Sequence, residues 1–295
     1  MKYAPAFLKH FVRNLFNRAG LDIVRKQPAP KPFIPYIQPY DLTYRSGNRQ
    51  CRFDFWLANP DANQWYKEWF YAASNPTWEL DEYVHLVQPG DRVLEIGCHH
   101  GFLTMMLAHL TGPSGFVLAV DANPENVLVA QAQLTLNQLT PFCKVLFGAG
   151  ADQVGLLEFE WRTNSHAIVG SGGSSQGCHS YSVPAVTGDD LDREYGPFNV
   201  LKVDVEGFEL AVLRGCGSLL ARKPKLILEL HPHFMKMYGY DATVAEVLRV
   251  IDAAGYEGTI VIRPNFHLSL PFHPDGIPQN EVSNVHLRPK VVMDG

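Results

Sequence analysis

Four side chains able to move a proton sit two apart in two short segments: Asp204 and Glu206, preceded by Lys202, and Glu229 with His231. Residues two apart on a strand point the same way, so each pair can converge on one crevice. An aliphatic hydroxyl does not ionise at neutral pH, and a reaction that uses one as nucleophile needs a base within hydrogen-bond reach. Asp204, Glu206, Glu229 and His231 are the candidates, and the imidazole has the ordinary pKa nearest to that task. Lys202 can keep a neighbouring carboxylate ionised, or simply bridge two strands. The group is rich in oxygen and holds one imidazole, as a cation site would be. Nothing in the spacing demands a metal, and no metal ligand is assigned.

A second constellation lies earlier. Residues 93–102 form an apolar run that ends in an ExGxxxG turn, with Glu95, Gly97 and Gly101. Glycines there let the backbone turn sharply and approach a ligand. A dinucleotide fingerprint would need its second glycine close behind the first, and Cys98 and His99 fill that space. Glu95 suits a ligand with a cationic amino-acid end, faced directly or through water. A second apolar run ends at Asp121, where a carboxylate can accept both ribose hydroxyls of an adenosine; capping the next helix is its alternative role. Together the two signals imply an adenosine ligand without a pyrophosphate, which points to S-adenosylmethionine.

These residues require elements to hold them. Apolar runs at 92–96, 115–120, 144–147, 200–203 and 226–230 alternate with helical segments at 102–111, 124–138, 208–220 and 242–254. Such alternation predicts a parallel sheet with helices on both faces. Residues 258–263 and 284–292 read as a closing antiparallel hairpin. Upstream, 62–75 and 77–87 read as aromatic-rich helices, 27–40 as a proline-rich extended linker, and 5–19 as a basic amphipathic helix. Three regions follow: 1–40 basic helix and linker, 41–90 helical extension, and 91–295 the catalytic domain. The segment 161–184 carries Asn164, Ser165 and His166 and a Gly/Ser patch at 170–177; it reads as a loop suited to a polar acceptor.

Residues 199–215 closely resemble the KxDVEGxExxVLxG signature of the FkbM-type methyltransferases. Residues 88–91, 149–159, 187–191 and 226–231 resemble further family segments in the same order. The resemblance spans roughly 78–257. It implies a Rossmann-like class I methyltransferase fold, mostly parallel, with helices on both faces and a C-terminal antiparallel hairpin. It also implies S-adenosyl-L-methionine as cofactor, contacted by Glu95, Gly97, Cys98, His99, Gly101, Asp121, Ala122, Asn123, Ala149 and Asp204. The family's first loop reads closer to DIGANxG, so Glu95 keeps the charge while His99 changes the hydrogen bonding. The implied reaction is O-methylation of a small molecule or sugar hydroxyl. A non-catalytic cofactor-binding module acting through the N-terminal helix, or a nicotinamide oxidoreductase, are the competing readings.

Composition narrows the partners. With 46% hydrophobic and 19% charged residues in 295, a sizeable core is expected. The net charge of −5 gives no global attraction to nucleic acid. Within 1–32, Lys2, Lys9, Arg13, Arg18, Arg25, Lys26 and Lys31 face Asp22 alone. That basic leader can dock on the acidic body, on another copy in a homo-oligomer, or on an anionic membrane surface through 5–19. Five scattered cysteines predict reduced thiols and a cytoplasmic protein. No apolar run approaches the ~18 residues of a membrane span.

Overall fold

In a computed structural model of the chain, the described residues are 32–43, 50–69, 78–160, 167–168, 180–237, 242–262 and 269–291. Residues 35–295 form one compact unit. The predicted helix at 5–19 and the Asn164–His166 part of the acceptor loop lie outside the described residues.

The elements of the main sheet are where the apolar runs predict them: β3 (Arg92–Ile96), β4 (Phe116–Asp121), β5 (Cys143–Phe147), β10 (Val200–Val203) and β11 (Lys225–Leu230), all parallel to one another. Three antiparallel strands complete it: β12 (Tyr256–Ile262), β13 (Ser269–Pro271) and β14 (Ser283–Pro289). The order is β13-β12-β14-β11-β10-β3-β4-β5. The closing hairpin is thus present, with β14 inserted between β12 and β11. This is the class I methyltransferase arrangement.

Helices α3 (Phe102–Thr111) and α4 (Pro124–Leu136) follow β3 and β4. The helix expected over 208–220 is two short ones, α6 (Glu209–Arg214) and α7 (Gly217–Ala221), broken at Gly215. A Cβ on Gly215 would lie 2.0 Å from the Ala151 carbonyl oxygen, so that close contact excludes a side chain there. Further along come α8 (Pro232–Met237) and α9 (Val244–Val250), the latter closed by a capping box between Thr243 and Glu246.

The sheet is chemically two-sided. Leu94, Ile96, Leu201, Val203, Leu226, Leu228 and Leu230 belong to one buried apolar cluster with Leu210, Val212 and Leu213 of α6. Their strand neighbours Glu95, Lys202 and Glu229 point to the opposite face, because strand side chains alternate. Register carries that polar row across β14: Lys202 pairs with Ile227, Ile227 with His286, and Glu229 with Asn284.

The upstream region differs from expectation. Residues 41–90 are not simply helical, and 36–40 is not a free linker. β1 (Tyr36–Thr43) and β2 (Gln50–Leu57) form an antiparallel hairpin. Its inward residues Tyr40, Phe53 and Phe55 pack on Phe102 of α3, with ring centroids 5.1–5.2 Å away. Cys51, Phe53, Phe55 and Leu57 are buried at period two, so tertiary packing selects the strand. Beyond it come α1 (Pro60–Asn63), a π-helical turn at Gln64–Trp69 and α2 (Trp78–Leu86). The 161–184 segment also differs from a pure loop. β9 (Ser180–Val186) joins β6 (Ala149–Gly150), β7 (Gly155–Glu160) and β8 (Ala167–Ile168) in a second, small sheet. α5 (Gly188–Tyr195) leads back to β10. Among the described residues no helix is long and apolar enough to cross a membrane.

Candidate active site

The loop between β3 and α3 is shaped by close approach. Gly97 has φ +88°, and a Cβ there would lie 1.7 Å from the Asp204 carbonyl oxygen. Its glycine character is therefore required by the neighbouring strand as well as by the turn. At Gly101, φ +81°, a Cβ would lie 3.0 Å from the Ala130 Cβ. Between them His99 adopts φ +50°, a left-handed conformation uncommon for a residue with a side chain. Its N–H donates to Asp121 Oδ2 at 2.7 Å, and its Nδ1 meets the Tyr66 hydroxyl of the π-helical turn. His100 stacks on His99 at 4.2 Å, and burial lowers its pKa to about 4. Cys98 is buried, which pushes its thiol up.

Asp121 ends β4 as predicted. Its Oδ1 accepts from the Asn123 N–H at 2.9 Å and from Asn126 Nδ2 at 3.1 Å. Burial nevertheless raises its pKa to about 6. The cap of α4 is Asn123, whose side chain accepts from the Glu125 N–H. Asp121 is thus not that cap. Ala122 and Ala149 come together in a small apolar cluster with Phe159, Val183 and Tyr181, and the Tyr181 hydroxyl donates to the Ala122 carbonyl at 3.3 Å.

Glu95 departs from its expected exposure to a ligand ammonium. It is fully buried, accepts from Thr104 Oγ1 at 2.6 Å and pairs with Lys202 Nζ at 3.1 Å. The reason is register: Lys202 lies beside it on β10, and a buried carboxylate needs a partner. Burial disfavours the Lys202 charge, but Glu95 and Asp204 outweigh it and hold the ammonium protonated. Lys202 also donates to the Gly97 carbonyl at 3.3 Å and stands 3.7 Å from Asp204 Oδ2.

Past the strand tips the candidate bases converge. Asp204, Glu229 and His231 each offer a polar atom within 4.8 Å of the others. The Asp204 side chain is 25% exposed, against 11% for Glu229 and 4% for His231. Asp204 is therefore the member that reaches the crevice. Its carboxyl is pushed up by burial and by Glu229, with Lys202 and His231 opposing. For His231, burial disfavours charge but Glu209 and Glu229 win, so the ring is held charged. Glu206 occupies a left-handed turn at φ +55° beside Gly207 at φ +109°, and its charge acts on Asp204.

Three participants were not singled out by sequence. Glu209, fully buried, holds His231 Nδ1 at 2.8 Å and accepts from the Gly207 N–H at 3.0 Å; it is the second glutamate of the VEGxE segment. Asn284 and His286 line a narrow cleft with Tyr83, Lys202, Asp204 and Glu229. Nothing local in the sequence marks them, since only the β11–β14 register brings them there.

Several solved structures are similar to the chain. The FkbM methyltransferase of Methylobacillus flagellatus KT is 12% identical over 69% of this chain and 49% of its own, with a TM-score of 0.41. Aeropyrum pernix fibrillarin, solved with natively bound S-adenosyl-L-methionine, is 11% identical over 68% and 67%, at 0.40. A TehB-like S-adenosylmethionine-dependent methyltransferase from Corynebacterium glutamicum ATCC 13032 is 14% identical over 74% and 92%, at 0.39. No curated protein matches the chain. Residues 95–257, from the buried Glu95 through the whole Lys202–His231 cluster, match the methyltransferase FkbM domain, and the chain belongs to that family of S-adenosylmethionine-dependent methyltransferases.

Proposed function

We propose that the protein transfers a methyl group to a hydroxyl oxygen of a small molecule or sugar. The observation that carries this reading is the partly exposed Asp204 carboxylate, backed by Lys202, Glu229 and His231 at the tips of β10 and β11. A hydroxyl must lose its proton as it is methylated. A carboxylate at the crevice mouth, with its second-row partners already ion-paired, is suited to take it.

The cofactor fits the residues at the other side of the crevice. Asp121 at the tip of β4 is the acceptor for ribose hydroxyls, and Ala122 and Ala149 give an apolar wall beside it. Gly97, Cys98, His99, Gly101 and Asn123 are the further cofactor contacts in this reading, while Glu95 acts behind them through its ion pair with Lys202. Three buried or half-buried carboxylates, Glu95, Asp204 and Glu229, act on the Lys202 ammonium, and a fourth, Glu209, pairs with the charged His231 ring, so four acids face two cations. That excess of negative charge favours a cationic ligand. S-adenosylmethionine supplies an electrophilic methyl group on a sulfonium when bound. The protein's part is alignment of the acceptor oxygen and removal of its proton.

The test is product analysis with deuteromethyl-labelled cofactor against a panel of methyl glycosides and hydroxylated small molecules. The expected product is a base-stable methyl ether. Asp204→Asn should lower kcat by about 10²–10⁴-fold and leave cofactor binding in place. Label on nitrogen, or full activity in Asp204→Asn, would overturn the reading. Cofactor binding without transfer to any acceptor would instead favour the non-catalytic module.

A further inference from the structure

The crevice cluster has the composition and spacing of a cation site. Ligands about 2.0–2.2 Å from one first-row ion lie roughly 3–4.4 Å apart. His231 Nε2 and Glu229 Oε1 are 3.4 Å apart, and with Asp204 all three donors fall within 4.8 Å. The other ring nitrogen of His231 is bonded to the fully buried Glu209 at 2.8 Å. A bound cation displaces the Nε2 proton of the charged ring; the remaining proton stays on Nδ1 against Glu209, and the freed Nε2 lone pair faces Glu229 and Asp204. Metal-bound histidines are oriented by carboxylates in this way.

A second observation is independent of the acids. Asn284 is 3% exposed, and neither its amide nitrogen nor its amide oxygen has a hydrogen-bond partner. It lies opposite Glu229 in the β11–β14 register and lines the same cleft as Asp204 and Glu229. A buried polar group left this way is costly and calls for an explanation such as an ion. An amide oxygen is a ready cation ligand. Lys202 does not fill that need, because it is engaged by Glu95 and the Gly97 carbonyl.

We propose that Asp204, Glu229 and His231, with the amide oxygen of Asn284, bind one divalent first-row cation. Two carboxylates, an imidazole and an amide oxygen, with no thiolate, suit Mn²⁺ best and Zn²⁺ next. Resting on the hydroxyl-methylation reading above, the open coordination positions take the acceptor hydroxyl and a neighbouring oxygen. The site therefore selects acceptors with two adjacent oxygens. Asp204 ligates through one oxygen and keeps the other for the hydroxyl proton.

The full-length chain, stripped with EDTA, is titrated with MnCl₂ while free Mn²⁺ is followed by electron paramagnetic resonance. One Mn²⁺ per chain should disappear from the free signal, and Zn²⁺ should compete it off. Glu209→Gln should weaken Mn²⁺ binding about 10–100-fold by loosening His231. Asn284→Leu should weaken it about tenfold, and Asp121→Ala should leave it unchanged. A folded chain that binds neither Mn²⁺ nor Zn²⁺ would overturn the inference. So would a stoichiometric site unaffected by both Glu229→Gln and Asn284→Leu; should Glu229→Gln fail to fold, Asn284→Leu decides alone. Absent metal with methyl ether formation intact removes only this inference, whereas bound metal with no oxygen methylation removes the function proposed above.

Discussion

Asp121 carries two consequences of its burial. With its pKa raised to about 6, the ribose contact proposed for it depends on pH in an accessible range. S-adenosylmethionine affinity should fall as pH drops through about 6, approaching tenfold per unit; calorimetric titrations between pH 5 and 8 measure this. His100 provides a separate test on stability. Its folded pKa of about 4 lies below the ordinary 6.5, so the unfolded chain binds the extra proton. Its contribution is complete above pH 6.5 and is lost as pH falls toward 4. At pH 5 that loss is about 2 kcal/mol. His100→Phe keeps a ring against His99 and should show that much less acid destabilisation than the parent in urea unfolding at pH 7 and pH 5.

At the scale of elements, the hairpin β1–β2 is fastened to α4 by Gln133 and, at the helix end, by Asn137, which holds the Asp54 backbone. Gln133 accepts from the Trp56 N–H at 2.9 Å and donates to the Trp56 carbonyl at 2.8 Å. Gln133→Leu leaves both groups unpaired and should cost about 1–3 kcal/mol, read as a lower Tm. The parallel strands are legible in the sequence because they are apolar runs, and three of them lead into Asp121, Asp204 and His231. The hairpin is less legible: Pro35 and Pro39 mimic a linker, and the alternation from Cys51 to Leu57 is short. Strand β9 is hidden for a similar reason, since it follows the Gly/Ser patch. Within the site, Asp204, Glu229 and His231 are readable from types and spacing, but the engagement of Glu95 by Lys202 is not. Nor are Asn284 and His286 readable, because cross-strand register is a property of the assembled sheet.

Over the whole molecule, a basic segment precedes an acidic body whose buried carboxylates outnumber the cations set among them. The peripheral membrane contact proposed for residues 5–19 predicts that the full chain binds vesicles containing phosphatidylglycerol and that a chain beginning at Pro35 does not; co-sedimentation at low and physiological salt checks this. The crevice between the tips of β3–β4 and β10–β11 is the centre of the account, and it is tested most directly by calorimetric titration with S-adenosylmethionine and with NAD⁺. The account predicts one S-adenosylmethionine per chain, heat that vanishes in Asp121→Ala, and no binding of NAD⁺. Binding of NAD⁺, or S-adenosylmethionine binding that survives Asp121→Ala unchanged, would contradict it.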